Sequence, residues 1–464
     1  MPEEQSQENR PLIALIAAVA AAGGLLFGFD TGVISGALLF LKKDFALSPG
    51  SEEWVVSAVL VGCMVGAAAS GGLADALGRK KTILLTACVF VLGSLGSSMA
   101  RSVSELVAGR LATGLAIGVA SFAAPLYISE ISPPARRGAL VSLNQLLITI
   151  GIVVSYFVDD LFADTAGTWR DMFLAGVVPA VALGVGMLFL PETPRWLLSK
   201  GRGDKAMEVL SRLIGPEAAK TEAKAIVEAM RLEGGGSFKE LFSNWARPAL
   251  FFGVGIMFVQ QATGINTVIY YAPSIFRMAG FASDTAAISA TVGVGMVNVL
   301  MTVVSIRLID RLGRKPLLSF GLMGMTASLI LLGLAFSLEK DLGGALKWVT
   351  VAGLLCYIAS FAISLGPIAW LLIAEIYPQR IRGLAMSAAT LANWAFNFVI
   401  ALTFLSIVDV FGKAGAFWAY AAVGVLGWIF CRAFAPETKG ASLEDIEKNL
   451  RAGRPLRELG RRAQ

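Results

Sequence analysis

The chain contains no histidine. The side chain whose ordinary pKa lies nearest neutrality is therefore missing, and any proton chemistry near pH 7 falls to carboxylates. Charge of either sign is scarce: Asp, Glu, Lys and Arg make up 16% of the 464 residues, well short of the roughly 25% of soluble domains. The four cysteines, Cys63, Cys88, Cys356 and Cys431, sit singly in apolar stretches without CxxC spacing, which argues against a disulfide framework, a zinc site or any other metal centre. No nucleophile and base lie in a recognisable catalytic pattern, so no catalytic residue, enzyme activity or cofactor is expected. The net charge of +6 is modest and gives no sign of nucleic-acid binding.

Apolar residues fill the space that these absences leave. They make up 56% of the chain, and the mean hydropathy is +0.70, so the expected solvent is a bilayer. Runs long enough to cross about 30 Å of hydrocarbon lie near 12–41, 54–74, 82–100, 103–129, 138–162 and 172–191, then near 248–277, 285–309, 316–337, 346–375, 383–408 and 414–434. The first run follows the polar decapeptide MPEEQSQENR. It is too long for a signal-peptide core and has no convincing cleavage site, so it reads as a retained helix. A spanning barrel would need short strands of alternating polarity, which leaves an all-α membrane protein of twelve transmembrane helices. Residues 195–247 are charged with both signs interspersed. They read as a linker of short amphipathic helices, too short to bury a core of its own. The expected organisation is a tail at 1–11, a six-helix bundle at 12–194, the linker, a second bundle at 248–438 and a tail at 439–464. The basic loops GRKK (78–81), ARRG (135–138), RLGRK (311–315) and QRIRG (379–383) all fall on one side of this topology, and the net acidic DDLFADTAGTWRD (159–171) falls on the other. The positive-inside rule places the basic loops, both tails and the linker in the cytoplasm.

The two groups of spans repeat each other. DALGRK at 75–80 returns as DRLGRK at 310–315. SEISPPARRG at 129–138 has its counterpart in AEIYPQRIRG at 374–383, and PET at 191–193 recurs at 436–438. The three signatures follow spans two, four and six of each half in the same order. Parallel six-helix halves related by an axis along the membrane normal are a transporter architecture, with substrate held between them near the midplane.

One charge interrupts the first span. Asp30, in GFDTGVISG, is the sole ionisable residue between Pro11 and Leu41, and a carboxylate there costs about 2.5–3.5 kcal/mol on insertion scales. Asp30 lies ~16 Å from the outer end of span one, and Arg110, in span four, ~10 Å from the same surface. Pairing is the cheapest remedy for both charges. Pairing lowers the proton affinity of a carboxylate and burial raises it. A change of partner between two states would therefore drive proton uptake and release, whereas a permanent pair would be only structural.

Together, GGLADALGRK, RLIDRLGRK, PETPRW, QQATGINTVIYY and APETKG resemble the sugar porter family of the major facilitator superfamily, from about residue 12 to 445. The resemblance implies a multi-pass cell-membrane carrier, monomeric, that moves a monosaccharide with protons by alternating access. Proton-coupled members carry an aspartate at the position of Asp30, whereas the animal facilitative glucose transporters have asparagine in the similar motif. The QQ-xxx-GIN-xxx-YY pattern implies sugar binding by Gln260, Gln261, Asn266 and Tyr270 of span seven. These would not share a face on an ideal helix, but a loosening at Gly264 would help. Gln145, Asn298, Asn393 and Asn397 are further amide candidates, since amides donate and accept as sugar hydroxyls do. Phe27, Trp370 and Trp394 offer flat apolar surfaces. Each amide taken alone is equally suited to an interhelical hydrogen bond. The resemblance also implies ion pairs that tie the halves together on the cytoplasmic side when the carrier opens outward, drawn from Asp75 with Arg79, Glu130 with Arg137, Asp310 with Arg314, Glu375 with Arg382, and Glu192 with Arg195 and Glu437. Solvated pairs that merely fix the loops are the alternative. The favoured substrate is a hexose such as glucose. An uncoupled uniporter, a pentose or polyol symporter, and a non-transporting sugar sensor remain alternatives. Drug antiport lacks its Gly/Pro-rich span-five motif in VSLNQLLITIGIVVSY.

Overall fold

The computed structural model describes residues 9–133, 136–165, 168–232, 238–378 and 380–461, and all regular structure there is helical. In chain order the helices are α1 (Arg10–Asp44), α2 (Pro49–Leu77), α3 (Arg79–Ser98), α4 (Val103–Ile131), α5 (Arg137–Ala163), α6 (Thr168–Ala175) and α7 (Val177–Phe189). The linker holds α8 (Pro194–Ser199), α9 (Gly203–Ile214) and α10 (Pro216–Leu232). The second half holds α11 (Arg247–Ala262), α12 (Ile265–Met278), α13 (Asp284–Leu312), α14 (Arg314–Ser337), the one-turn α15 (Glu339–Leu342), α16 (Leu346–Ile363), α17 (Leu365–Ile376), α18 (Arg382–Phe434) and α19 (Leu443–Arg451).

Eleven segments of the described chain are long and apolar enough to cross a bilayer. The last of them, α18, has 53 residues and turns at Gly412, where φ is 75° and ψ 168°. Glycine adopts that conformation without the steric cost a Cβ would bring, so α18 makes two crossings and the total is twelve. An even number returns both ends to the same side, called here the terminal face. The spans fall close to the runs legible in the sequence. Two interruptions were not legible: span six divides at Gly176 into α6 and α7, and span ten divides at Ser364 (φ −130°, ψ −93°) into α16 and α17.

The repeated motifs fold alike. Gly78 ends α2 and starts α3 with φ 94° and ψ 157°, and Gly313 does the same between α13 and α14 with φ 92° and ψ 168°. A Cβ on Gly78 would meet Glu192 Oε2 at 2.2 Å, and one on Gly313 would meet Glu437 Oε2 at 2.6 Å. Each glycine thus lets the glutamate of a PET motif reach the open N–H groups at a helix start, where the helix dipole favours an anion. The sequence repeat is a repeated carboxylate cap.

In the first bundle, α1 carries Gly24, Gly28, Gly32 and Gly36, one on each turn, and lays this stripe on α5. A Cβ at Gly28 would lie 1.9 Å from the carbonyl oxygen of Ile148, so the backbones touch, the usual way to bind helices where lipid supplies no hydrophobic drive. Gly62 and Gly66 of α2 lie against the α4 backbone, and Gly114 and Gly118 of α4 against the α2 backbone, in the same manner. Large apolar side chains such as Leu92, Phe189, Phe320 and Leu426 point outward, as lipid-facing surface should. The bundles meet through α1 on α12, α2 on α18 and α5 on α13.

Candidate functional site

The site is built where the second bundle's helices break. Span seven stops at Ala262 and restarts at Ile265 after Gly264, in the left-handed region with φ 88°. A Cβ there would also press on the Tyr420 ring at 2.9 Å. Across from it lies the break at Ser364, and each break helps to satisfy the other. Tyr357 of α16 donates to the carbonyl of Thr263 at 2.8 Å, and Gln260 Nε2 donates to the carbonyls of Leu365 and Gly366 at 3.1 and 3.2 Å. Proline frees further acceptors because it has no N–H for the carbonyl four residues back. The carbonyl of Ile363, left by Pro367, receives Ser305 Oγ at 2.9 Å, and that of Ile269, left by Pro273, receives the Tyr156 hydroxyl from the other bundle at 3.0 Å. Irregular backbone survives at membrane depth only with such partners.

The break brings the amides together. Asn393 Nδ2 donates to Gln260 Oε1 at 2.7 Å, Gln261 Nε2 to Asn393 Oδ1 at 3.2 Å, and Asn266 Nδ2, from beyond the break, to Gln261 Oε1 at 2.7 Å. One turn along α18, Asn397 Nδ2 reaches the Tyr270 hydroxyl at 3.2 Å. Trp394 lies between these asparagines in sequence, and its ring meets Phe27 of α1 at 5.2 Å. Trp394 Nε1 and Asn397 Oδ1 are buried and have no protein partner. Among the described residues no hydrogen bond joins Gln145, Asn298 or Trp370 to this cluster. Gln145 and Trp370 are half-buried, and Asn298 is buried on α13. The sequence reading missed the tyrosines and hydroxyls that support the cluster, Tyr156, Tyr357, Ser305 and the Thr267–Tyr420 pair at 3.2 Å. Pro273 and Pro367 are the signal that would have found two of them.

Asp30 and Arg110 do meet. Arg110 Nη1 lies 3.1 Å from Asp30 Oδ1, with the two side chains 1% and 5% exposed. The guanidinium rests over the Phe173 ring at 5.7 Å, and its Nε and Nη2 have no protein partner. Asp30 opens onto a void of about 10 Å³ whose walls include Phe27, Thr31, Cys63, Tyr270 and Trp394. That is about the room one water needs, and it separates the carboxylate from the aromatic and tyrosyl edge of the amide cluster.

On the terminal face Asp75 pairs with Arg79 as expected, whereas Glu130 and Glu375 find other partners. Glu130 is held by Arg79 Nη2 at 3.0 Å, not by Arg137, which is exposed. Arg79 also takes Asp75 at 3.0 Å, and Thr193 Oγ1 donates to Glu130 at 2.5 Å. In the second bundle Arg314 holds Glu375 at 2.9 Å, Thr438 donates to Glu375, and Arg382 Nε donates to the Tyr377 carbonyl at 3.1 Å. Arginine after the helix-starting glycine, not the later arginine, is thus the partner in both halves. Glu192 accepts the N–H groups of Arg79, Lys80 and Thr193 at 2.9–3.1 Å, and Glu437 accepts those of Arg314, Lys315 and Lys439. Burial nevertheless pushes the Glu192 carboxyl above its ordinary range. Arg195 is half-buried on α8, and the side chain of Asp310 lies outside the described residues. These networks join helices within one bundle; the expected ties between bundles belong to the state that opens outward.

The family model described as sugar (and other) transporter matches residues 16–450. The chain belongs to the sugar porters of the major facilitator superfamily. Among relatives of this sugar porter, the galactose-proton symporter of Escherichia coli K12 is 43% identical over 99% of both chains, and the arabinose-proton symporter of the same strain is 40% identical over 98% of this chain and 97% of that one. The fold matches a partially occluded, inward-open structure of the xylose transporter XylE from E. coli with a TM-score of 0.82 and 32% identity, over 93% of this chain and 99% of that one. The protein is a membrane-spanning transporter and not an enzyme.

Proposed function

We propose that the protein is a proton-coupled monosaccharide symporter, favouring a hexose, that works by alternating access between its two bundles. The reading rests above all on the contact between two sites. Asp30 of the buried Asp30–Arg110 pair and the Trp394–Tyr270 edge of the amide cluster face the same small void. A sugar hydroxyl or a water there touches both the carboxylate and the sugar-binding ring, so loading one site is felt at the other.

In this reading Gln260, Gln261, Asn266, Asn393 and Asn397 exchange their mutual hydrogen bonds for sugar hydroxyls, and Trp394 Nε1 and Asn397 Oδ1 supply open valences. Gln145, Asn298 and Trp370 close on the sugar from other helices. Exchanging one set of bonds for another yields little net energy, which suits a carrier: a millimolar site needs only about 4 kcal/mol, and the sugar must leave again. Protonated Asp30 loses its hold on Arg110, and the freed guanidinium takes another partner in the state open to the opposite side. The charged networks of the terminal face, from Asp75 to Glu437, belong to the gate there and re-pair across the bundles when that side closes. Positive loops place this face in the cytoplasm. The carrier works as a monomer in the cell membrane.

The relatives named for galactose and arabinose differ in sugar size, so a pentose remains the second reading. Purified protein in liposomes tests both points. Sugar counterflow against a panel of hexoses, pentoses and polyols ranks the substrate, and alkalinisation of the medium on sugar uptake reports coupled proton entry. Uptake without alkalinisation identifies a uniporter.

A further inference from the structure

We propose that Glu53 is a gating residue, whose carboxylate latches the two bundles together at the face opposite the termini and sets how much of the protein is open to that side. The proposal rests on the alternating-access reading above. Glu53 stands on α2 of the first bundle and is 3% exposed. Its two oxygens accept the backbone N–H and the hydroxyl of Ser406 on α18, in the other bundle, each at 2.8 Å. An amide inside a helix ordinarily gives its proton to the carbonyl four residues back. Here it also meets a carboxylate that crosses from another bundle. The adjacent Glu52 is occupied otherwise, holding Lys42 of α1 at 2.5 Å.

Glu53 heads a series with a common polarity. Asp160 of α5 accepts from Ser289 of α13, and Asp164 accepts from Thr285 at 2.8 Å. The first bundle thus supplies carboxylates and the second supplies hydroxyls. Lys43 reverses the order by reaching Asp284 of α13, which Arg277 of α12 also holds at 2.9 Å. Links of this kind suit a gate. When the bundles part, water replaces each hydroxyl at a modest cost, greatest where the carboxylate is buried, whereas an apolar seal would resist opening. Glu53 outweighs the others because it is buried. Asp164 is exposed and Asp160 half-exposed, so solvent screens them.

The test measures the distance between spin labels on Leu161 of α5 and Phe411 of α18, exposed residues of opposite bundles, with the four native cysteines replaced and the protein in lipid nanodiscs. Glu53→Ala is expected to raise the ratio of the longer to the shorter distance on the order of tenfold or more, the scale of a lost hydrogen bond to a charged group. Ser406→Ala, which keeps the backbone N–H, shifts it less, and the double variant no more than Glu53→Ala. Asp164→Asn moves it little. An unchanged ratio in well-folded Glu53→Ala and Ser406→Ala, with sugar or acid still shifting the two populations, overturns the latch and leaves alternating access standing. One distance that neither sugar, acid nor any variant moves overturns both.

Discussion

The two bundles carry the same charged signatures on the terminal face but are built differently inside. In the first, α1, α2, α4 and α5 run unbroken and pack through glycine against bare backbone, and the interior charge pair sits on two of them. In the second, spans seven and ten are broken at Gly264 and Ser364, and tyrosine, glutamine and serine cap the loose carbonyls. A buried ion pair needs fixed distances, because its attraction must offset the desolvation of both charges. A sugar needs many adaptable donors and acceptors, which broken helices provide. In the proposed function, proton handling belongs to the stiffer bundle and sugar handling to the more articulated one.

The division is open to attack by substitution. The largest effect is expected from Arg110→Ala, which strands Asp30 in the interior: about 3–5 kcal/mol of stability is lost, read as a fall in thermal midpoint, and Asp30→Asn added to it restores much of that loss. Next comes Gly28→Ala. Its Cβ would sit 1.9 Å from a backbone carbonyl that cannot turn aside, costing about 1–3 kcal/mol by overpacking. A change of the same kind in the second bundle, Gly353→Ala, meets the end of the Leu332 side chain at 2.8 Å, which can turn aside, and should cost clearly less in the same unfolding assay. Equal losses would erase the contrast in stiffness. Asn393→Ala removes a partner of both buried Gln260 and Gln261 and should weaken sugar binding about tenfold, seen in counterflow, and lower sugar-independent stability by about 1–3 kcal/mol. The smallest effects fall on the shared feature. Glu192→Gln and Glu437→Gln remove like caps from like helix starts, and each should lower stability by about 0.3–2 kcal/mol and by similar amounts.

Much of this was legible before any coordinates. Hydropathy located the spans, the recurrence of GRK and PET located the doubling, and Asp30 and Arg110 announced each other by depth alone. The break at Gly264 was suggested by amides that an ideal helix would point apart. Less could be read where the sequence is locally ordinary. Ser364 lies in a continuous apolar run, and its break depends on Pro367 three residues on and on Ser305 from a different helix. The partners of Glu130 and Glu375 were misjudged because proximity in sequence favoured Arg137 and Arg382. The fold instead brings in Arg79 and Arg314 from the starts of α3 and α14, where Gly78 and Gly313 turn the chain. Tyr156 and Tyr357 look like core residues in sequence. Only their hydroxyls, aimed at carbonyls of other helices, reveal what they do.

Everything functional in this account depends on Asp30 taking up a proton, and sugar accumulation by Asp30→Asn in liposomes with an inward proton gradient tests it most directly. The account predicts that the variant still exchanges labelled sugar in counterflow but never concentrates it above the outside level. Accumulation driven by the gradient in that variant would contradict it.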